Sequence, residues 1–324
     1  MATTTSITTT YAGEFAGKYV AAALLPAPTI ANNLITVKQN VKFKEVLKRV
    51  NLNDIVKDGS CDFDPTSTLT LTERILEPRD LQINLSLCKS DFRSDWEAIE
   101  MGYSAFDNLP KNFSDFLIAH VAEKSAARNE LSIWQGVAPI PGGGGFSGQF
   151  DGFETLLAAD AELPAAQEVA GTTVDSTNVT AELGKIVDAM PDTLYGREDL
   201  RLYVSNNIFK AYVRALGGYG AAGVGANGFE NKGNMWYTTG GALYFDGIPV
   251  VMCPGMSADT AILSTIDNLY FGTGLLSDHQ EVKVLDMADL DGSQNVRVIM
   301  RFTAGVNYAF AADVVTYGIV NAVN

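Results

Sequence analysis

The two histidines are the first residues to test for catalytic or metal-binding chemistry. His120 and His279 stand far apart in the 324-residue chain, and neither lies at ligand spacing from a cysteine or from the other histidine. A zinc site or a histidine-based dyad needs several such side chains at short, defined spacing. We therefore expect no catalytic residue and no metal site, and we interpret His120 as a packing or hydrogen-bonding residue on a helix.

A glycine-rich segment matches a pattern that binds dinucleotides. Gly218-Tyr219-Gly220-Ala221-Ala222-Gly223 fits G-x-G-x-x-G. That site requires a strand before the motif and a helix after it, with the helix N-terminus facing the pyrophosphate. Here a predicted helix precedes the motif, and more loop follows as far as Gly228. We predict a loop without a cofactor, and a dinucleotide-binding enzyme remains a distant alternative.

An acidic turn offers a second partial motif. Asp289-Leu290-Asp291-Gly292 is similar to the middle of an EF-hand loop, but Met287 occupies the first ligand position and Val298 the twelfth. An EF-hand needs a bidentate carboxylate at the twelfth position. We predict a hairpin turn there. The nucleophile-elbow, P-loop and zinc-protease motifs are also missing from the sequence.

The composition argues for a folded, acidic protein. The chain has 23 Lys and Arg against 38 Asp and Glu, a net charge of −15, and 47% hydrophobic residues. It can bury a sizeable core, and its average charge disfavours tight wrapping of DNA as the main activity. Cys61, Cys88 and Cys253 are isolated along the chain, which predicts three reduced thiols that are buried.

Membrane attachment is not predicted. The Thr-rich stretch Met1 to Thr10 lacks the basic residues of a signal peptide, and no segment approaches the ~20 apolar residues that cross a bilayer. We expect a cytosolic product without a membrane anchor.

The longest predicted helix spans Asn112 to Gln135. Apolar residues including Phe116 and Trp134 lie on one side of it, and Gly136 is placed to end it. Small residues in its middle allow neighbouring backbone to pass close. We predict that this helix is a spine of the fold.

Three predictions concern the N-terminal part of the chain. Residues 2–40 lack a sustained period and predict an extended arm. Apolar residues at helical spacing predict a short basic helix over Val41 to Val50. Alternating residues at 68–72 and 81–88 predict two strands, which we expect to pair with each other as a hairpin around the turn Glu77-Pro78-Arg79-Asp80.

The composition changes after Gly142 to Gly145. Asp151 to Leu200 holds eleven acidic residues against Lys185 and Arg197, which predicts a second domain. Arg201 to Val204 predicts a strand, and Ser205 is placed to cap a helix that ends at Leu216. Six short strands follow, at 242–245, 249–252, 268–271, 282–285, 296–303 and 314–319. The order indicates an α+β fold.

These parts, and the C-terminal strand sequences above all, resemble the major capsid proteins of tailed double-stranded DNA phages, a fold shared with encapsulin shells. The resemblance is carried by Gly247-Ile248-Pro249-Val250-Val251, Asn268 to Thr273, and Val296 to Phe302 followed by Gly305-Val306 and Asp313-Val314-Val315. It covers nearly the whole chain. These are packing patterns, so the resemblance implies a structural protein and no enzyme.

The resemblance implies four parts. Residues 1–50 would be an N-terminal arm, and residues 51–90 an extended loop that lies across a neighbouring subunit. Residues 91–150 and 282–324 would form a peripheral domain around spine helix 112–135, and residues 151–281 an axial domain. We expect deletion of residues 1–40 to leave a folded protein that fails to assemble.

The resemblance also implies partners. The chain would assemble as hexamers and pentamers into an icosahedral head, built in the host cytoplasm, that encloses double-stranded DNA without sequence preference and joins a portal. An encapsulin-like compartment with a protein cargo is the alternative. We expect assembly contacts from a basic strip, the hairpin, the spine helix and the glycine loop: Lys42, Lys44, Lys48, Arg49, Leu69, Leu71, Glu77, Arg79, Phe116, Trp134, Gly218 and Gly220.

Two departures from the family pattern shape further expectations. The chain starts almost directly with the arm, so we expect no large cleaved pro-segment and a scaffold, and any decoration protein, supplied as separate chains. The interval between Lys57 and Lys89 contains no lysine, so we expect a shell without covalent crosslinks there.

Overall fold

The structure is a computed structural model that describes residues 28–52, 56, 58–59, 69–88, 111–138, 149–216, 243–275, 282–287 and 292–321. The predicted α+β class is confirmed, since long and short helices accompany two larger sheets and a two-stranded one. The helices are α1 Pro28–Ala31, α2 Lys111–Gln135, α3 Phe153–Ala158, α4 Val179–Asp188 and α5 Asn206–Leu216.

The strands alternate with these helices irregularly along the chain. They are β1 Thr36–Lys38, β2 Glu45–Leu52, β3 Leu69–Leu76, β4 Arg79–Cys88, β5 Glu168–Val169, β6 Leu200–Val204, β7 Leu243–Phe245, β8 Ile248–Met252, β9 Ala261–Thr265, β10 Leu269–Gly272, β11 Lys283–Asp286, β12 Asn295–Tyr308 and β13 Val314–Tyr317.

The five-stranded sheet is built around the long strand β12. Its order is β1-β10-β12-β11, and β4 also pairs with β12. β4 runs antiparallel to β12 over ten residue pairs, from Cys88 opposite Asn295 to Arg79 opposite Ala304. Inward-facing residues of β12 such as Val298 and Met300 are buried, because alternate side chains of a strand share one face.

The six-stranded sheet has the order β5-β13-β9-β6-β8-β7. Its central strand β9 is buried at all five residues. Helices α4 and α5 contribute Ile186 and Ile208 to the hydrophobic core on this sheet. A second core contains Trp134, Phe153, Tyr203 and Phe302, and so joins α2, α3 and both larger sheets.

The chain from Val41 to Val50 is not the basic helix that its spacing predicts. Residues 45–52 form β2, which pairs antiparallel with β3 from Glu45 opposite Leu76 to Leu52 opposite Leu69. Apolar residues at positions 43, 46, 47 and 50 fit a helical period and do not alternate along the strand. Pairing with β3 overrides this local period, since it satisfies the backbone groups of both strands.

The predicted hairpin is also wrong in its pairing. Both strands exist, but β3 pairs with β2 and β4 pairs with β12. The turn at Glu77 and Pro78 therefore redirects the chain from one sheet to another. It rests on Gly305, where a Cβ atom would lie 2.9 Å from the Glu77 carbonyl oxygen and the Pro78 Cα atom.

The predicted arm and domain limits need correction. Residues 34–38 belong to the body, since Leu34 and Ile35 are buried and β1 pairs with β10. β10 lies in the five-stranded sheet, although it falls within the predicted second domain 151–281. β13 lies in the six-stranded sheet, although it falls in the segment 282–324 assigned to the first. Sheet pairing depends on distant partners, so the chain crosses between the two units more often than composition indicates.

Other predictions are confirmed. α2 ends at Gln135, and the amide of Gly136 donates to the Ser132 carbonyl oxygen. β6 and α5 follow each other as predicted.

Two smaller predictions need correction. Ser205 does not cap α5 through its side chain, because its hydroxyl has no hydrogen-bond partner among the described residues. The predicted burial holds for Cys253, while Cys88 is half-buried and Cys61 lies outside the described residues.

Candidate assembly surface

Strands β2 and β3 form a two-stranded ribbon whose two faces differ. Directly opposite residues of an antiparallel pair lie on the same face. Leu47 lies opposite Arg74, and Arg49 lies opposite Thr72. Leu47 and Arg49 are both buried, as is Leu76 at the end of β3. This inner face of the ribbon packs on the body of the subunit.

Two arginines clamp the inner face to an acidic loop after α3. Arg49 makes a bidentate contact with Glu162, with Nη1 to Oε2 at 2.7 Å and Nη2 to Oε1 at 3.3 Å. Arg74 Nη2 donates to Glu162 Oε2 at 2.9 Å and also to Asp160. The Arg74 guanidinium carbon lies 4.4 Å from the centre of the Tyr308 ring. Paired guanidinium and carboxylate groups of this kind fix geometry as well as contribute energy.

The clamp shifts the protonation of its acids. Hydrogen bonds from Arg49 and then Arg74 lower the pKa of Glu162 to about 2. Burial acts to raise the pKa of Asp160, but hydrogen bonds from Tyr308, the Glu162 amide and Arg74 outweigh it and lower the pKa. Burial, together with the bond to Asp160, raises the pKa of Tyr308. At neutral pH both carboxylates are charged and hold the ribbon.

The outer face of the ribbon carries an exposed apolar ladder. Val46 lies opposite Ile75 and Val50 opposite Leu71, with the pair Lys48 and Glu73 between them. The exposed fractions are 42% for Val46, 45% for Ile75, 53% for Val50 and 68% for Leu71. Two apolar pairs on one face, on either side of a charged pair, differ from the single exposed residues of an ordinary surface. This face is the candidate assembly surface.

The predicted basic strip divides between the two faces. Lys42, Lys44 and Lys48 are exposed, and Lys44 pairs with Glu77 at 3.0 Å. Arg49 is buried in the clamp, so it does not belong to a solvated basic face. In a helix these residues would have shared one side, but a strand sends Lys48 and Arg49 to opposite faces.

The remaining predicted residues are scattered. Leu71 is on the apolar ladder, while Glu77 and Arg79 are exposed at the turn into β4. Trp134 is fully buried against Phe153 and Tyr203, with ring centroids 5.4 Å apart in both pairs, so its role is in the core. Leu69 and Phe116 are described only by backbone, and Gly218 and Gly220, like His279, lie outside the described residues.

Sequence reasoning missed the acidic half of the clamp and most of the ladder. Asp160 and Glu162 lie more than 80 residues from Arg74, so no local pattern links them. Val46 and Val50 are separated on their face by Lys48, and Ile75 and Leu71 by Glu73, so neither strand carries a regular alternation that marks the ladder.

A second anchor holds the start of the described chain to α2. Thr29 Oγ1 donates to Glu130 Oε1 at 2.5 Å, and Trp134 Nε1 donates to Thr29 Oγ1 at 3.0 Å. Glu130 is buried, and burial raises the pKa of its carboxyl above the ordinary value. Residues at 28–35 are therefore fixed to the spine helix before the chain enters β1.

Groups that would hold a metal ion are not found in the described part of the chain, where no three His, Cys, Asp or Glu residues are suitably placed. Among the described helices, none is both long and apolar enough to span a membrane. Among the surfaces described above, the apolar ladder of the ribbon is the one that most clearly lacks packing partners within the subunit.

No protein-family model matches the sequence, and the comparison with curated proteins finds no match. Solved structures do match. One is the capsid of a native GTA particle, with 14% identity, a TM-score of 0.59 and 93% of each chain covered. Another is the capsid of cyanophage P-SCSP1u, with 13% identity, a TM-score of 0.56, and 94% of this chain and 91% of that chain covered.

A third match is to a procapsid that contains a second protein. It is the satellite phage P4 procapsid including the size determination protein, with 11% identity, a TM-score of 0.50, and 89% of this chain and 97% of that chain covered. The alignments run over nearly the full length of both partners. The chain has the fold of phage capsid proteins.

Proposed function

We propose that this chain is the major capsid subunit of a tailed double-stranded DNA phage. It would assemble in the host cytoplasm as hexamers and pentamers and become the shell of the virion. The observation that carries the proposal is the ribbon, which is clamped to its own subunit on one face and exposes an apolar ladder on the other.

A clamped ribbon suits the strapping of one subunit by the next. The arginine contacts fix the direction in which the ribbon leaves the body, so the ladder is presented at a defined angle. A second copy that covers Val50 and Leu71 would remove their apolar area from water, which stabilises association. The same contact repeated from copy to copy is heterologous, and it closes into a ring when the rotation permits.

The fold likeness supports a shell rather than an enzyme. In this proposal the ribbon is the extended loop, the five-stranded sheet with α2 is the peripheral domain, and the six-stranded sheet is the axial domain. The shell is held without covalent crosslinks, encloses DNA without sequence preference, and joins a portal. Scaffold and decoration proteins are separate chains.

The first experiment is sedimentation and negative-stain microscopy of the chain expressed alone and with candidate scaffold proteins. Shells, or pentamers and hexamers, are the expected result. A monomer of ~35 kDa at every concentration and with every scaffold would contradict the proposal.

The content of the particles separates the phage head from its alternative. Particles isolated from producing cells are expected to contain nuclease-protected double-stranded DNA. Particles that hold one protein in constant ratio and no DNA would instead indicate an encapsulin-like compartment.

A further inference from the structure

An apolar groove lies between the spine helix α2 and strand β4. Its volume is about 430 Å³, which is within the range of ligand-binding clefts. None of the residues of the candidate assembly surface lines it. The groove is therefore a separate feature.

The floor of the groove is apolar. Leu81, Ile83 and Leu85 alternate along β4 and face it together, with Phe302 from β12 and Val121 from α2. Leu85 keeps 44% of its surface exposed. An apolar floor disfavours a polar ligand, which would lose bound water there, and it favours a partner with apolar side chains.

The rim along α2 carries basic residues. His120, Lys124 and Arg128 recur every four residues, which places them in one stripe at ~6 Å intervals along the helix. Among the described residues of the lining, Asp80 is the one acidic side chain, and it stands at the β4 end. Two full positive charges beside an apolar floor are notable in a chain whose net charge is −15.

We propose that this groove binds an acidic amphipathic helix of another protein. The apolar stripe of such a helix would cover Leu81, Ile83 and Leu85, and carboxylates at its flank would meet Lys124 and Arg128. Amphipathic helices commonly bind grooves in this way, anchored by apolar residues three and four positions apart. The complementary charges would set the orientation of the helix and select against basic partners.

A nucleic acid fits this groove less well. A phosphate backbone gains from a surface of cations and hydrogen-bond donors. Here the floor is apolar and the Asp80 carboxylate is at one end. A nucleic-acid duplex presents its phosphate backbone on the outside, so it has no apolar surface to cover Leu85.

The test measures peptide binding to the full-length chain, at a concentration where sedimentation gives a single species. The probe is a fluorescent 18-residue synthetic helix with leucines at i, i+3, i+4 and i+7 spacing and glutamates beside them. The comparison peptide carries lysines in place of the glutamates. We expect saturable anisotropy for the acidic peptide and at least tenfold weaker binding for the basic one.

Variants locate the site. Lys124→Glu is expected to weaken the acidic peptide roughly fivefold to tenfold, and Leu85→Ser to weaken both peptides. Glu123→Lys is the matched control, because Glu123 is the exposed neighbour on α2 and does not line the groove, and it should leave the affinity unchanged within twofold.

Several results would overturn the proposal. They are no saturable binding to the wild-type chain, equal binding of both peptides, an unchanged affinity in Lys124→Glu, or displacement of the peptide by a duplex oligonucleotide. Shell formation is measured separately, so failure here leaves the proposed function standing.

Discussion

The six-stranded sheet and the β2–β3 ribbon are both built from short strands, but they differ in how much of their apolar surface they bury. The sheet completes its own core: β9 and β13 are buried at every residue, and α4 and α5 pack on the sheet. The ribbon buries only its inner face and leaves four large apolar side chains in water. A strand pair that is stable inside a sheet is marginal as an isolated ribbon. The ribbon therefore depends on the clamp within the subunit and, in our proposal, on a neighbour outside it.

The largest effect is expected from a truncation at the start of the described chain, which tests whether these residues belong to the folded body. Deletion of residues 1–40 removes Leu34 and Ile35 from the core, strand β1, and the hydrogen bond from Thr29 to Glu130. Loss of even one such buried side chain costs ~2–5 kcal/mol, so we expect the truncated chain to be unfolded or strongly destabilised. This replaces the expectation, drawn from the resemblance, of a folded but assembly-defective protein.

The matched truncation removes residues 1–27 and none of the contacts described here. We expect its urea-unfolding midpoint to be close to that of the full chain. A cooperative transition of unchanged midpoint after deletion of residues 1–40 would show that β1 is not part of the body.

The second largest effect is expected at the clamp. Arg74→Gln removes the charged hydrogen bonds to Asp160 and Glu162 and leaves the Asp160 carboxylate, which is mostly buried, without its cation. Hydrogen bonds to charged groups contribute ~1.5–3 kcal/mol, so we expect a loss of about 2 kcal/mol in the free energy of unfolding. Urea titration of the unassembled subunit measures it.

Arg79→Gln is the control for the clamp, because Arg79 is exposed at the start of β4. It should change the free energy of unfolding by less than ~0.5 kcal/mol. Equal effects of the two substitutions would mean that the clamp contributes no more than a surface charge.

The sequence was sufficient for the elements whose signals are local. α2 has a long helical period and a glycine at its end, and five of the six predicted C-terminal strands, bounded by Gly or Asp turns, lie within two residues of their observed bounds. β12, predicted at 296–303, continues to Tyr308, and the central strand β9 at Ala261–Thr265 was not predicted. Segment 41–50 was predicted wrongly because its apolar residues fit a period of 3.6 and not of 2. Its strand conformation depends on the partner strand β3.

Pairing and clamping could not be predicted in the same way. β4 pairs with β12 more than 200 residues later, and Arg49 meets Glu162 more than 100 residues later. Register between distant strands depends on the assembled hydrophobic faces, which no single segment encodes. The candidate assembly surface was predicted only in part, since Leu71 was named for it while Arg49 and Trp134 are core residues.

A third prediction uses pH to loosen the clamp. The folded-state pKa of Glu162 is about 2, below its ordinary value of 4.5. A lowered pKa means that the ionised form is the stabilising one. The contribution is present above pH 4.5 and is lost as the pH falls from 4.5 towards 2.

Hydrogen exchange of the β2 and β3 amides follows this loss. We expect protection of the ribbon to fall over that interval before protection of β9 does. In Glu162→Gln the ribbon should be less protected at neutral pH and should depend less on pH over the same interval, since Asp160 is then the remaining carboxylate that binds Arg74. A ribbon and a β9 that lose protection together in both proteins would contradict the division between the two regions.

The smallest effect on the subunit, and the sharpest on assembly, is expected from the ladder. The double variant Val50→Thr, Leu71→Thr keeps residues that favour strands and changes only the exposed outer face. Because both side chains are already in water, the free energy of unfolding should change by less than ~0.5 kcal/mol. Shell yield by sedimentation should nevertheless fall, because each copy loses apolar contact with its neighbour and the loss is repeated around the shell. Val320→Thr, at an exposed site on the body, is the control and should assemble normally. Wild-type yield from the double variant would mean that the ladder is an ordinary surface and that neighbours meet elsewhere.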